Sequence, residues 1–67
     1  MSVARVTEIN ASSEKSFEDA VQVGVERAAK TLKNVQGAWV QDMKVTVKDG
    51  RISEYRVNMK VTFVLQD

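Results

Sequence analysis

Trp39 and Arg56 are the side chains of this 67-residue sequence best suited to holding a ligand. An indole is a large flat surface with one polar handle, and aromatic stacking contributes ~0.5–1.5 kcal/mol beyond the area it buries. A guanidinium offers five N–H donors to a carbonyl-rich ring or a phosphate. Each also has an ordinary structural use. Trp39, the only tryptophan, can pack in a core or a subunit interface, and Arg56 can sit in a surface ion pair. Asp42 adds a carboxylate near Trp39. With Glu54 it could face a divalent cation, but a hard cation wants several oxygen ligands, and no loop here carries alternating acids.

Covalent and acid–base catalysis have little to work with. The chain has no histidine and no cysteine, so the usual nucleophile–base pairs are missing. Ser12, Ser13 and Ser16 fall where turns and helix caps favour serine. Glu18 and Asp19 are neighbours on a helix and point in different directions. Three scattered glycines make no P-loop or G-x-G-x-x-G phosphate cradle. These observations predict a binding protein, not an enzyme.

Composition narrows the partners. Ten basic and nine acidic residues leave a net charge of +1, without the basic stripe of a nucleic-acid binder. No apolar stretch approaches the roughly 20 residues that span a bilayer. Met1-Ser2-Val3-Ala4-Arg5 lacks the apolar core of a signal peptide. The expectation is a soluble cytoplasmic protein that meets neither nucleic acid nor membrane. A chain this short has a thin core, and without cysteine it has no disulfide to staple it. Association with further copies is the expected source of extra buried area.

The elements that must position Trp39, Asp42 and Arg56 follow from periodicity. Val3–Ile9 is rich in β-branched residues and reads as a strand, followed by turn residues Asn10–Ser13. Ser16 and Asp19 form a capping-box pattern, with Ser13 an alternative cap. Phe17, Val21, Val25, Ala28 and Leu32 describe one helical face, predicting a helix over about Ser16–Lys33. After Gly37, the residues Trp39, Gln41, Met43, Val45 and Val47 alternate against Ala38, Val40, Asp42, Lys44 and Thr46, which is the period of a strand. That parity places Trp39 and Gln41 with Met43, Val45 and Val47, unless a bulge changes the register. Met43 and Met59 read as core. Asp49-Gly50 between two alternating runs is a hairpin signal. Tyr55, Val57, Met59, Val61, Phe63 and Leu65 then share one face of a strand of roughly 35 Å, with Glu54, Arg56, Asn58, Lys60 and Thr62 on the other. The predicted fold class is α+β, of order β-α-β-β, with a three-stranded antiparallel sheet packed against one helix. Residues 1–67 are expected to form a single domain.

This layout resembles the dodecin family. The resemblance covers nearly the whole chain and is carried by Val6-Thr7-Glu8-Ile9 with the Ser12-Ser13 turn, by Glu26-Arg27-Ala28-Ala29-Lys30-Thr31-Leu32-Lys33-Asn34, and by Tyr55-Arg56-Val57-Asn58-Met59-Lys60-Val61-Thr62-Phe63. It implies a hollow homododecamer that binds and sequesters flavin (riboflavin, FMN or FAD) without turning it over. In flavin-binding dodecins, paired flavins lie between tryptophans of symmetry-related subunits. A glutamine on the last strand bonds the ring, and an aspartate on the middle strand reaches the ribityl chain. Aligned without gaps, the tryptophan position falls on Gly37, the glutamine position on Arg56 and the aspartate position on Asp42. The implied flavin site is thus Trp39 stacking from a shifted position over the space at Gly37, Arg56 donating to a ring carbonyl, Asp42 in polar contact, and Gln41 beside them. The alternative is a shell of the same fold whose remodelled pocket excludes flavin and holds coenzyme A, a divalent cation or nothing.

Overall fold

The computed structural model describes residues 3–65; the reading of Met1 and Ser2 lies outside them. Four elements follow one another: strand β1 (Val3–Ser13), helix α1 (Phe17–Thr31), strand β2 (Val35–Lys48) and strand β3 (Arg51–Leu65). The sheet order is β1-β3-β2, and β3 is antiparallel to both neighbours. The fold is the expected β-α-β-β arrangement. β1 and β2 therefore run parallel on opposite edges, and α1 carries the chain from one edge to the other across β3.

The strands exceed their sequence boundaries because pairing with β3 overrides local turn propensity. Asn10, Ala11, Ser12 and Ser13 do not form the predicted turn. They continue β1 and pair with Asn58, Val57, Arg56 and Tyr55. β3 starts at Arg51 and β2 at Val35. The Asp-Gly turn forms as expected. Asp49 (φ 52°) and Gly50 (φ 74°) are both left-handed, as a two-residue type I′ hairpin requires.

Helix α1 is shorter than the predicted Ser16–Lys33 and starts just after its cap. Ser16 is extended, and its Oγ accepts from the Asp19 backbone N–H at 2.9 Å. Ser13 also contributes: its Oγ donates to Asp19 Oδ2 at 2.6 Å and accepts from the Lys15 N–H at 2.9 Å. The two serines thus divide the capping work between them. At the other end Leu32 leaves the helix, its N–H bonded to the Ala28 carbonyl, so Leu32 caps the apolar face instead of extending it.

The line of closest contact with the sheet runs along Ala20, Gly24 and Ala28, all buried. Phe17, Val21 and Val25 flank it, packing on Val57 and Met59 together with Ile9 and Ala11. The apolar periodicity found the flanks and Ala28 but missed Ala20 and Gly24, because alanine and glycine carry little hydrophobic signal. Their small size lets the helix approach. A Cβ on Gly24 would stand 2.5 Å from Met59 Cε and 3.0 Å from Ala11 Cβ. Phe17 closes the start of the helix edge-on against Tyr55, with ring centroids 5.1 Å apart.

The helix is too short for the sheet. Its 15 residues span about 22 Å at 1.5 Å each, whereas the molecule is 51 Å long. α1 lies over β1 and β3 and touches β2 least. β1 stops pairing at Ser13–Tyr55, so the hairpin continues beyond as a two-stranded arm. Val40, Met43, Val45, Val47 and Ile52 are exposed as a result. Met43, Val45 and Val47 are not the buried core residues expected, since α1 leaves this part of β2 uncovered. Met59 is fully buried.

Gly24→Val should lower stability by about 1–3 kcal/mol through overpacking against Met59 and Ala11. Urea denaturation at fixed protomer concentration measures it. An unchanged midpoint would show that the helix does not depend on this approach.

Candidate functional site

β3 fixes the faces of the whole sheet. Its buried residues Val57, Met59 and Val61 face α1, so Arg56, Asn58, Lys60 and Thr62 face away by alternation. Directly paired residues share a face. From β1, Glu8, Asn10 and Ser12 join the outer face opposite Lys60, Asn58 and Arg56. From β2, Gly37, Trp39, Asp42 and Lys44 join it opposite Thr62, Lys60, Asn58 and Arg56.

The placement of Trp39 depends on one bulge. Val40 pairs with Met59 and Asp42 with Asn58, so Gln41 is an extra residue with no rung of its own. Past it the parity of β2 inverts. Trp39, opposite Lys60, and Met43, opposite Val57, lie on different faces although both are odd-numbered. This corrects the expected grouping of Trp39 with Met43, Val45 and Val47. Nor does alternation any longer place Gln41 on the face of Trp39. Gly37 and Trp39 do share the outer face, and a Cβ on Gly37 would meet nothing within 4 Å.

Two neighbouring features occupy this face. The first is a cavity of about 330 Å³ lined by Asn10, Asp42, Met43, Lys44, Arg56, Val57 and Asn58. Arg56 stands in its rim, half-exposed, with a loose ion pair to Glu54 at 3.6 Å. Lys44 is directly opposite Arg56, a like-charge pairing that costs stability unless an anionic or carbonyl group lies between them. Asn58 donates from Nδ2 to Glu8 Oε2 at 2.9 Å. Its own Oδ1 is buried and has no hydrogen-bond partner among the described residues. The periodicity placed Asn58 on this face but gave no sign that it would carry an orphan acceptor.

The second feature is Trp39 itself, 50% exposed. Lys60 Nζ lies 5.9 Å from its ring centroid, a cation–π contact worth about 0.5–1 kcal/mol at an exposed site. Trp39 does not line the cavity. It pairs with Lys60, four residues along β3 from Arg56, or about 13 Å at the rise of a strand. Within one chain Arg56, Asp42 and Asn58 come together, whereas Trp39 and Gly37 form a separate platform farther along the same face. Among the described residues no three acidic side chains gather where they could hold a metal ion.

Comparison with known proteins gives one consistent answer. The family profile described as Dodecin matches residues 3–66. The dodecin of Thermus thermophilus is 31% identical over 65 residues, covering 97% of this chain and 94% of that one. Among solved structures, the dodecin from Streptomyces davaonensis superposes with a TM-score of 0.95 at 33% identity, covering 98% of this chain and 97% of its own. A calcium-chelating dodecin from Mycobacterium tuberculosis, described as having a novel calcium-binding site, superposes with a TM-score of 0.83 at 29% identity, covering 96% and 91%.

Replacing Lys60 by methionine should leave the fold intact, cost about 1 kcal/mol or less, and change the acrylamide quenching of Trp39 emission. Unaltered quenching would indicate that the indole does not share a face with Lys60.

Proposed function

The chain belongs to the dodecin family, and on that premise we propose that it binds flavin without chemical turnover, as a cytoplasmic store built from many copies of itself. The observation that carries this reading is the bulge at Gln41, which turns Trp39 to the face that holds Asp42 and Arg56. On that face, Trp39 stacks on the flat ring, Arg56 donates to a ring carbonyl, and the Asp42 carboxylate accepts from hydroxyls of the ribityl chain. Gly37 leaves the ring unobstructed beside Trp39, and Gln41 lies at the bulge between Trp39 and Asp42. The distance between Trp39 and Arg56 along β3 means that one chain supplies two parts of the site. A second copy brings its own indole to complete the stack.

Self-association is supported independently by surface area. A compact monomer of this mass would expose about 4,250 Å², and this chain exposes 5223 Å². Its Cα radius of gyration is 13.7 Å, against about 11 Å for a compact domain of this length. The two-stranded arm has Val47 and Ile52 exposed with nothing of its own chain across them, and an isolated hairpin is marginal in water. Further copies, twelve in the full shell, cover these residues.

A second reading has an observation of its own. Lys60 already lies over the Trp39 ring, and the indole is away from the cavity. A shell with that arrangement excludes flavin and leaves the cavity to another small ligand, such as coenzyme A or a divalent cation. The absence of an acidic cluster among the described residues weighs against the cation.

Riboflavin and FMN fluorescence should be quenched at micromolar protein, and Trp39→Ala should abolish the quenching while the assembly remains whole. Emission unaltered by the native protein would reject the storage reading in favour of the second. Gly37→Trp should tighten flavin binding by about tenfold, since a second ring adds roughly the worth of one stacking contact; titration of the variant measures it. Replacing Val47 and Ile52 together by lysine should reduce the sedimenting species to small oligomers or monomer. Sedimentation unchanged by the two lysines would mean that the arm is not an interface.

A further inference from the structure

Asn58 lines the outer-face cavity, and its buried Oδ1 has no hydrogen-bond partner among the described residues; we propose that, once the rim side chains draw aside, this Oδ1 receives the imide N–H of the bound ring while Arg56 donates to the adjoining carbonyl. The inference rests on the flavin reading and assigns Asn58 as the residue that selects the edge of the ring.

Three observations lead to it. The orientation of the Asn58 amide is fixed by chemistry. A carboxylate only accepts, so the group facing Glu8 Oε2 at 2.9 Å is the Nδ2 donor, and Oδ1 faces elsewhere. Oδ1 is buried without a hydrogen-bond partner among the described residues, although Asn10 and Asp42 stand opposite Asn58 on the two flanking strands. Such an acceptor lowers stability by the cost of its lost hydration, and a ligand donor recovers that cost. Arg56 lines the same cavity and is two residues away on the same face of β3, and a guanidinium has donors only. A ring edge of alternating carbonyl and N–H groups needs both kinds of partner. Arg56 can satisfy the carbonyl and cannot satisfy the N–H.

Asp42 is the competing acceptor. It is exposed, so its carboxylate exchanges water for ligand with little net gain. Asn58 Oδ1 has no bond to another described residue to give up. The long side chains at the rim, Lys44 and Arg56, are both exposed and can swing aside to admit the ring. The selected chemical class is a planar heterocycle with an unsubstituted imide, which distinguishes a flavin from the same ring alkylated at that nitrogen.

The test compares riboflavin with N3-methylriboflavin by fluorescence titration of the full assembly, using native protein and Asn58→Leu. Native protein should prefer riboflavin by about tenfold, the worth of one hydrogen bond to a desolvated acceptor. In Asn58→Leu the two ligands should bind within about threefold of each other, with the sedimentation of the assembly unchanged. If the leucine variant does not assemble, Asn58→Val, β-branched and suited to a strand, gives the same reading. Equal binding of the two ligands to native protein overturns the inference and leaves the flavin reading standing. A tenfold preference that persists without Asn58 also overturns it, since the methyl group would then be rejected by shape. If riboflavin itself does not bind, the inference falls together with the flavin reading.

Discussion

The double ladder on β3 is the constraint from which the rest of this structure follows. β3 is hydrogen-bonded along both sides, so its alternation is imposed on β1 and β2 rung by rung. Tyr55, Val57, Met59, Val61 and Phe63 define the face under the helix, and Arg56, Asn58, Lys60 and Thr62 define the outer face. A slip of one residue against either neighbour would exchange those sets. The burial of Val57, Met59 and Val61 makes such a slip costly. The bulges occur where β2, with its own apolar pattern, must be reconciled with β3. At Gln41 the reconciliation frees Trp39 from the helix side and leaves Met43 on it.

The same ladder limits the core. One helix of modest length covers one part of a long sheet, and it sits close because Ala20, Gly24 and Ala28 present almost nothing between backbone and strands. Close packing over a small area gives a firm centre and bare ends. The hairpin arm and the helix side of β2 are apolar without being buried, which is the composition of an interface core more than of a surface. Within one chain the arm stays without that burial.

On the outer face, polar groups are arranged by register and not by a folded pocket. Lys44 and Arg56 oppose each other, Asn58 is tied to Glu8, and Lys60 lies between Glu8 and Trp39. The face carries the cations Lys44, Arg56 and Lys60, a buried acceptor on Asn58 without a partner among the described residues, and an aromatic platform farther along. This suits recognition of a flat ring with a polar edge.

Periodicity in the sequence already determined the order of elements, the Asp49-Gly50 turn, the Ser16 cap and the two faces of β3, because each depends on neighbours within a few residues or on an uninterrupted alternation. The tertiary structure decided the rest. Asn10–Ser13 extends β1 because β3 offers partners that outweigh turn propensity. Ala20 and Gly24 form the contact line because what matters there is the distance between helix and sheet, which hydrophobicity does not record. Met43 is exposed because the helix leaves its part of β2 uncovered. Trp39 faces outward because a single unpaired residue, Gln41, inverts the parity of its strand. No local pattern announces that residue, since a bulge is a property of two strands and not of one. Trp39, Arg56 and Asp42 could be named from their types, whereas Asn58 could not. Their division into a cavity around Arg56, Asp42 and Asn58 and a separate platform at Trp39 required the register between strands.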